Sequence, residues 1–202
     1  MVLYLTTIAI AIILITIFNI ALFAIPFFSI AALELFGITI LTVAIEFIIS
    51  AIIALAIHWL PESWFLAEKK IFKVYRWERK FYEKLGIKKW KDKVWELGGL
   101  GGFRKNKIND PTNPEYLSIF LMESNKGFVV HIISVFAVFL CIPFFPQFAW
   151  TIGFPASMVG LVLHTLPALI LRYNIPKLMV ARERARRTKE REEKEKSENK
   201  KD

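Results

Sequence analysis

Apolar positions along the chain fall into two long blocks, each followed by a polar one. The first block covers the first 60 residues with an interruption at 26–34, and the second covers 128–171 without any Asp, Glu, Lys or Arg. As a single helix, the 44 residues of the second block would extend about 66 Å, whereas the hydrocarbon core of a bilayer is about 30 Å thick. Each block therefore accommodates two crossings. The pattern predicts an all-α integral membrane protein with two transmembrane helical hairpins, four spans in all.

Proline and glycine mark the turns of both hairpins, because they interrupt helix geometry. The first hairpin is predicted to have spans at about 3–27 and 36–60. Its N-terminal segment has no basic residue before the apolar stretch and is longer than a signal peptide, so we expect it to be a retained span. The turn of the second hairpin is expected among Pro143, Pro146, Gly153 and Pro155.

The polar block at 61–127 contains a basic amphipathic segment. Apolar side chains recur every three or four positions at Val74, Trp77, Phe81 and Leu85. Cations form a neighbouring stripe at Lys73, Arg76, Lys80 and Lys84. A helix of this kind is suited to the lipid headgroup layer. The predicted organisation is a first transmembrane hairpin at 1–60, an amphipathic loop at 61–127, a second transmembrane hairpin at 128–171 and a charged tail at 172–202.

Charge gives this arrangement an orientation. The chain is 55% hydrophobic, with a mean hydropathy of +0.44, yet it has 27 Lys and Arg residues. All of them lie in two regions, 15 at 61–127 and 12 from Arg172 onwards. Since positive loops stay on the cytoplasmic side, we expect a multi-pass protein of the cell membrane with its loop and tail in the cytoplasm. Anionic membrane lipid accounts for the basic surface, so nucleic acid is not an expected partner.

Two loop segments and the single cysteine add local expectations. The run "ELGGLGGF" lacks the spacing of a phosphate-binding loop and is interpreted as a helix terminator and hinge. Asn113 and Pro114 are predicted to cap and start a helix that runs through Glu123 into the third span. Because Cys141 is the single cysteine, an intramolecular disulfide is excluded, and no group of Cys and His residues has the spacing of a zinc site. The sequence therefore predicts neither a metal nor a bound cofactor.

Polar residues collect where the second hairpin meets the cytoplasmic side. His131 lies about one turn inside the third span, and Arg172, Tyr173 and Asn174 follow the fourth. Hairpin geometry predicts that the histidine and this cluster lie close together, as at the rim of an active site. A structural alternative remains open, in which the cations and aromatics are interfacial anchors and Asn174-x-Pro176 ends the helix.

Three sequence blocks carry a family resemblance: "WERKFYEKLGIKKWKDKV", the Glu123-Ser124 pair with His131 after it, and "LPALILRYNIPKL". In combination and in this order they resemble the CrtO-type membrane acyltransferases, which acylate the sugar of a glycosylated C30 carotenoid acid. The resemblance covers roughly 61–184. It departs from the family pattern at Phe128, where a second acidic residue is expected, and at Lys177, which replaces an arginine.

The resemblance implies acyl transfer from acyl-CoA, or a similar activated donor, to a hydroxyl of a lipid-linked acceptor. Such a reaction needs a base for the hydroxyl proton and donors for the developing oxyanion, and His131 is the predicted base. The candidates for its catalytic partner are Glu123 and, as alternatives from other segments, Asp92 or Asn174. Glu123 would lie about 12 Å from His131 along an unbroken helix, so contact would require a break near Gly127. The predicted substrate-binding residues are Trp90, Lys91, Arg172, Tyr173 and Lys177.

Two further ionisable residues lie within the predicted spans. Glu46 is near the middle of the second span, where a carboxylate must be protonated or partnered, and His164 of the fourth span is a candidate partner. The pair is interpreted first as a packing contact. Two other functions stay open on the residues alone: a non-enzymatic membrane scaffold or partner subunit, and a small transporter component that uses Glu46 and His164 as a proton relay. The oligomeric state is not predicted.

Overall fold

A computed structural model describes residues 2–94 and 108–199 of the chain. The glycine run at 98–102, predicted to end a helix, lies outside the described residues. The α-helices are α1 Val2–Leu22, α2 Ile30–His58, α3 Arg76–Lys84, α4 Ile87–Trp90, α5 Pro114–Ala137 and α6 Phe154–Glu198. The described residues contain no strand, and four helical segments are long and apolar enough to cross a membrane. The predicted all-α membrane fold with four spans is confirmed.

The first hairpin turns a few residues earlier than predicted. Its first helix ends at Leu22 and its second begins at Ile30. The sequence had predicted that the first helix ends near residue 27 and that the second begins near residue 36. The reason is local capping, because the hydroxyl of Ser29 accepts a hydrogen bond from the Ala32 N–H at 3.2 Å. Serine at this position satisfies a backbone donor at the helix start, so α2 begins just after it.

The second hairpin turns through a series of short helices at the predicted proline and glycine positions. These are the 3₁₀ segments Val138–Phe144 and Pro146–Phe148 and the π-helical turn Ala149–Gly153. A side chain at Gly153 would stand only 3.0 Å from the Ile142 Cα atom. A larger residue would therefore push the two sides of this turn apart by a few tenths of an ångström.

The start of α5 agrees with the predicted cap. Asn113 Oδ1 accepts hydrogen bonds from the backbone N–H groups of Glu115 and Tyr116, both at 3.0 Å, and Pro114 occupies the first helical position. The helix then runs without a break to Ala137. The interruption near Gly127 that would bring Glu123 to His131 does not occur.

Two compact units make up the molecule, and the first contains Met1–Trp59 and Val129–Ala168. Its buried apolar core is Ile15, Ile20, Ala32, Leu35, Ile152 and Ala156. Buried polar side chains join its helices as well. Asn19 donates to the carbonyl oxygens of Ile15 at 2.8 Å and Thr151 at 2.9 Å. A polar group in this setting requires such a partner, so the bonds fix how these segments pack.

The second unit contains Leu60–Asp92 and the described parts of 97–128 and 169–202. Its buried apolar core is Ala67, Phe120, Leu121, Ile175 and Leu178. Asn125 ties the loop to α5 by donating to the Phe65 carbonyl at 2.8 Å. The alternative that Asn174-x-Pro176 ends the helix is wrong, because α6 continues to Glu198. The C-terminal part of α6 contains i,i+4 ion pairs such as that of Arg187 with Glu183. Such pairs stabilise an exposed helix.

The amphipathic segment of the loop forms α3, which is shorter than its pattern suggested. Gly86 adopts a positive φ of 62°, a conformation that favours glycine, and separates α3 from α4. Trp77, Phe81 and Leu85 are exposed. The buried residues of α3 are Glu78 and Tyr82, so its apolar stripe faces away from the core of the second unit.

Candidate active site

Two histidines of the first unit are in direct contact. His131 of α5 and His164 of α6 approach at 3.2 Å between their Nδ1 atoms. The Nε2 atom of His164 lies 3.0 Å from the hydroxyl oxygen of Ser50 in α2. In each contact one of the two atoms must carry the proton and the other must accept it, so the three side chains form a continuous hydrogen-bonded chain across three helices.

Glu46 lines the same cleft as Ser50 and His164, one turn of α2 away from the serine. Cys141 Sγ donates to Glu46 Oε1 at 3.3 Å, and the cysteine also contacts the Ser157 hydroxyl at 3.3 Å. Sequence analysis paired Glu46 with His164. The structure brings both residues to one cleft but directs their hydrogen bonds to different partners.

Arg172 of α6 forms a buried ion pair in the second unit. Its Nε donates to Glu78 Oε2 at 2.9 Å, and its second terminal nitrogen donates to Glu78 Oε1 at 3.3 Å. The same guanidinium donates to the carbonyl oxygens of Ile71 at 3.2 Å and Lys73 at 2.9 Å. An arginine is suited to this arrangement, because its planar donor set matches a carboxylate and leaves donors for neighbouring carbonyls.

The surroundings of Glu78 decide its charge. Burial alone would raise the pKa of Glu78, but hydrogen bonds from Arg172, the Tyr75 N–H and Tyr82, together with the arginine charge, hold it below its usual 4.5. Burial and the negative charge of Glu78 raise the pKa of Tyr82 to about 12. The carboxylate is therefore ionised and the phenol neutral at pH 7.

Phe128 completes the arginine site. The guanidinium carbon of Arg172 lies 5.2 Å from the centre of the Phe128 ring, within the range of a cation–π contact. This is the position where the family pattern led us to expect an acid. Here the arginine takes its carboxylate from Glu78 and an aromatic face from Phe128. These contacts give Arg172 a structural role in the loop, and its predicted role in substrate binding stays a prediction.

A cavity of about 210 Å³ in the second unit gathers four of the predicted site residues. They are Lys91, Asp92, Asn174 and Lys177. Lys91 and Asp92 form an ion pair at 3.2 Å. The Lys177 ammonium also stands 3.9 Å from the centre of the Tyr173 ring. Two cations, one carboxylate and an amide line this cavity, and its volume is large enough for a phosphate group.

The other predicted residues have contacts of their own. Trp90 donates from Nε1 to the Leu85 carbonyl at 3.1 Å. Tyr173 makes an edge-to-face contact with Tyr82, with ring centres 6.5 Å apart, and it lines a second cavity of about 460 Å³. Glu123 pairs with Lys126 at 3.0 Å. Their assigned roles in catalysis and substrate binding stay predictions.

Sequence reasoning missed two residues that the structure makes prominent. Ser50 is one of several serines in apolar surroundings, and only the fold shows that its hydroxyl faces His164. Glu78 is one of many acids in a basic loop, 94 residues before Arg172. The sequence offered one signal, because Glu78 lies one turn before Tyr82, and these two residues share the buried face of α3, away from its exposed apolar stripe.

The fold and these sites define an all-helical membrane protein with polar groups gathered within its spans and in its loop. Comparison with known families identifies it further: the model of the CrtO family, described as glycosyl-4,4'-diaponeurosporenoate acyltransferase, matches residues 68–184. This is more than half of the 202-residue chain, and the chain belongs to that family. It is therefore an acyltransferase, and its family belongs to carotenoid biosynthesis. Searches of curated proteins and of solved structures gave no match.

Proposed function

We propose that the protein transfers a fatty acyl group from acyl-CoA, or a similar activated donor, to a hydroxyl of a lipid-linked sugar such as a glycosylated carotenoid. The observation that carries this proposal is the His131–His164 pair within the spans of a member of an acyltransferase family. Both histidines lie inside the matched region. A base at this position meets acceptors that are dissolved in the lipid.

The histidine pair supplies the proton transfer that the reaction needs. Acyl transfer requires removal of a proton from the attacking hydroxyl, and imidazole is the side chain best suited to this near neutral pH. With the two Nδ1 atoms 3.2 Å apart, one imidazole accepts the proton while the other stabilises the resulting charge through its hydrogen bond. The pair therefore acts as one base.

The cavity of the second unit supports the donor side of the proposal. Acyl-CoA carries phosphates, and Lys91, Lys177 and Asn174 line the same cavity. Lysine binds phosphate as a point charge. In this proposal, these residues hold the soluble head group, and Arg172 keeps the loop that carries Lys91 in place.

Acyl transfer by the purified protein in detergent tests the proposal, with labelled palmitoyl-CoA as donor and a glycosylated carotenoid as acceptor. His131→Ala should lower kcat by about 10²–10⁴-fold, the usual contribution of a general base, with the KM for the donor little changed. Lys177→Gln should instead raise that KM and leave kcat nearly unchanged, because it removes ground-state binding alone.

The two variants control for each other, since both alter polar residues of the second hairpin or its end. Equal kcat values for wild type and His131→Ala would contradict the role of the histidine pair in proton transfer but not the reaction. No transfer from several thioester donors to several glycolipid acceptors would overturn the proposed reaction. A scaffold or relay function would then be the better explanation, and Glu46→Gln would distinguish these two.

A further inference from the structure

We infer that Ser50 is a nucleophile that carries the acyl group as a covalent ester during transfer, with His164 as its base and His131 as the positioning residue. The inference rests on the proposed acyl transfer and specifies its route. Its basis is the unbroken chain from the Ser50 hydroxyl to His164 at 3.0 Å and from His164 to His131 at 3.2 Å. A nucleophile, a base and a third group that orients the base are the parts of an activated serine.

The tautomers required by this role agree with the contacts. His164 must accept the serine proton at Nε2, so its own proton must be on Nδ1. His131 Nδ1 then accepts the hydrogen bond from His164 Nδ1 and is itself unprotonated at that atom. These assignments satisfy both observed contacts at once. When His164 takes up the serine proton, the same hydrogen bond stabilises the imidazolium.

The cleft beside Ser50 is apolar except for a few side chains. Apolar residues of α1, α2 and α6 line it together with Tyr4, Glu46, Ser50 and His164. Its volume is about 20 Å³, enough for one water-sized group, which is the size of a carbonyl oxygen. Phe47 lines the cleft and is also exposed on the outside of α2. The cleft therefore meets the lipid-facing surface, along which the hydrocarbon part of an acyl donor extends.

The first half-reaction acylates the serine. His164 Nε2 takes the proton of the Ser50 hydroxyl as the serine oxygen bonds to the thioester carbonyl carbon. The carbon–sulfur bond then breaks, and the leaving thiolate receives the proton from His164. Tyr4 contributes a phenol to the cleft lining, a donor type that stabilises an oxyanion. The products are a serine ester and a free thiol.

The second half-reaction returns the enzyme to its starting state. The acceptor hydroxyl gives its proton to His164 Nε2 while its oxygen bonds to the acyl carbon. The bond from the acyl carbon to the Ser50 oxygen breaks, and the serine recovers its proton from His164. The sum of both steps converts a thioester and an alcohol into an ester and a thiol, with no other reactant.

The covalent route is separable from the proposed function. His131 and His164 lie within the region matched to the family, whereas Ser50 lies before it. Direct transfer would need the histidine pair alone. The serine ester would add a step that belongs to the first hairpin of this chain, so each can fail without the other.

Rapid quenching of the full-length protein with labelled palmitoyl-CoA, in the absence of acceptor, provides the test. We expect one palmitoyl group on the wild-type protein, located on Ser50 by peptide mass analysis and resistant to neutral hydroxylamine, as an oxygen ester is. Adding the glycosylated carotenoid should remove it. Ser50→Ala should lose the protein-bound label and lower kcat on the order of 10⁴-fold or more.

Further variants separate chemistry from folding. Ser50→Cys should form a label that hydroxylamine removes. His131→Leu should slow acylation strongly. His131→Asn should recover part of the rate and shift the pH profile of acylation, because the asparagine amide oxygen replaces the lost hydrogen-bond acceptor.

Ser134→Ala is the matched control. The Ser134 hydroxyl is buried and has no hydrogen-bond partner within residues 2–94 and 108–199, so its loss should leave labelling unchanged.

Two results would overturn the covalent route while leaving the proposed function intact. One is transfer to the acceptor at an undiminished rate by Ser50→Ala. The other is a palmitoyl group on Cys141, the single cysteine, in place of Ser50. A wild-type protein that neither retains label nor transfers it to any acceptor would overturn the proposed function as well.

Discussion

At the scale of single residues, Arg172 shows how a cation next to a membrane span is used. Sequence position alone suggests a snorkelling anchor or a substrate ligand. Its side chain is instead 10% exposed, and the carboxylate that it binds is 9% exposed. A buried charge without its partner is costly, and loss of one member of such a pair typically destabilises a protein by about 3–5 kcal/mol. The pair is therefore a point where the second unit is sensitive to substitution and to acid.

The pH dependence of stability follows from the lowered pKa of Glu78. A carboxyl whose pKa is lower in the folded state contributes stability above its ordinary pKa of 4.5, and that contribution is lost as the pH falls through the folded-state value. Glu78→Gln should lower the unfolding midpoint in detergent at pH 7, and the difference from wild type should shrink as the pH falls below 4.5.

A surface ion pair provides the control for this experiment. Glu115 is largely exposed and pairs with Lys189 at 2.8 Å, and water screens such pairs. Glu115→Gln should therefore change the unfolding midpoint little at pH 7. A Glu78→Gln protein as stable as Glu115→Gln would show that the buried pair does not stabilise the folded state.

At the scale of elements, α3 has its apolar stripe on the outside. Trp77 is 69% exposed, and Phe81 and Leu85 are exposed beside it, while the cations of the sequence pattern flank them. An apolar stripe next to basic residues is typical of a helix in the headgroup layer. In a protein with four segments able to span a membrane, we therefore expect this surface to contact lipid.

Spin labels can report the environment of α3 in lipid nanodiscs. In a Cys141→Ser background, a label on Trp77→Cys should be more accessible to oxygen than to a water-soluble nickel chelate, because oxygen concentrates in hydrocarbon. A label on Glu83→Cys, an exposed polar position of the same helix, should show the reverse. Equal accessibility at both positions would exclude contact of the stripe with lipid.

Sequence patterns predicted the helices better than they predicted which side chains contact each other. The four spans and the Asn113 cap were predictable, because apolar length and capping are local physical requirements. The contact of His131 with His164 and the choice of Glu78 by Arg172 depend on how distant segments pack, and many residues of the same type compete for each position. The ends of the first two helices differ from the prediction for a local reason, because Ser29 caps α2 and the apolar pattern does not contain this capping signal.

At the scale of the whole molecule, the distribution of charge predicts how the protein is oriented in the membrane, and the fold alone does not determine this orientation. The 15 basic residues at 61–127 and the 12 from Arg172 onwards favour the cytoplasmic side for both regions. With an even number of spans between them, we expect both regions to lie on the same side of the membrane and the turn between α1 and α2 to face outwards.

Cysteine accessibility in intact cells checks this orientation. In a Cys141→Ser background, an impermeant maleimide should label Phe28→Cys, because Phe28 is 99% exposed in the turn between α1 and α2. Lys88→Cys in the loop and Glu195→Cys in the tail should react only after the cells are opened. Labelling of either position in intact cells would reverse the proposed topology.

Gly160 of α6 shows how the cleft of the first unit restricts sequence change. A side-chain carbon at this position would lie 2.7 Å from Glu46 Oε2 and 3.0 Å from Val138 Cγ1, so the absence of a side chain provides the space that the carboxyl occupies. Neither position is therefore independent in evolution. In a lineage that replaces Gly160 with a larger residue, the Glu46 carboxyl must move or a shorter side chain must replace it, so we expect the two sites to co-vary among descendants of this sequence.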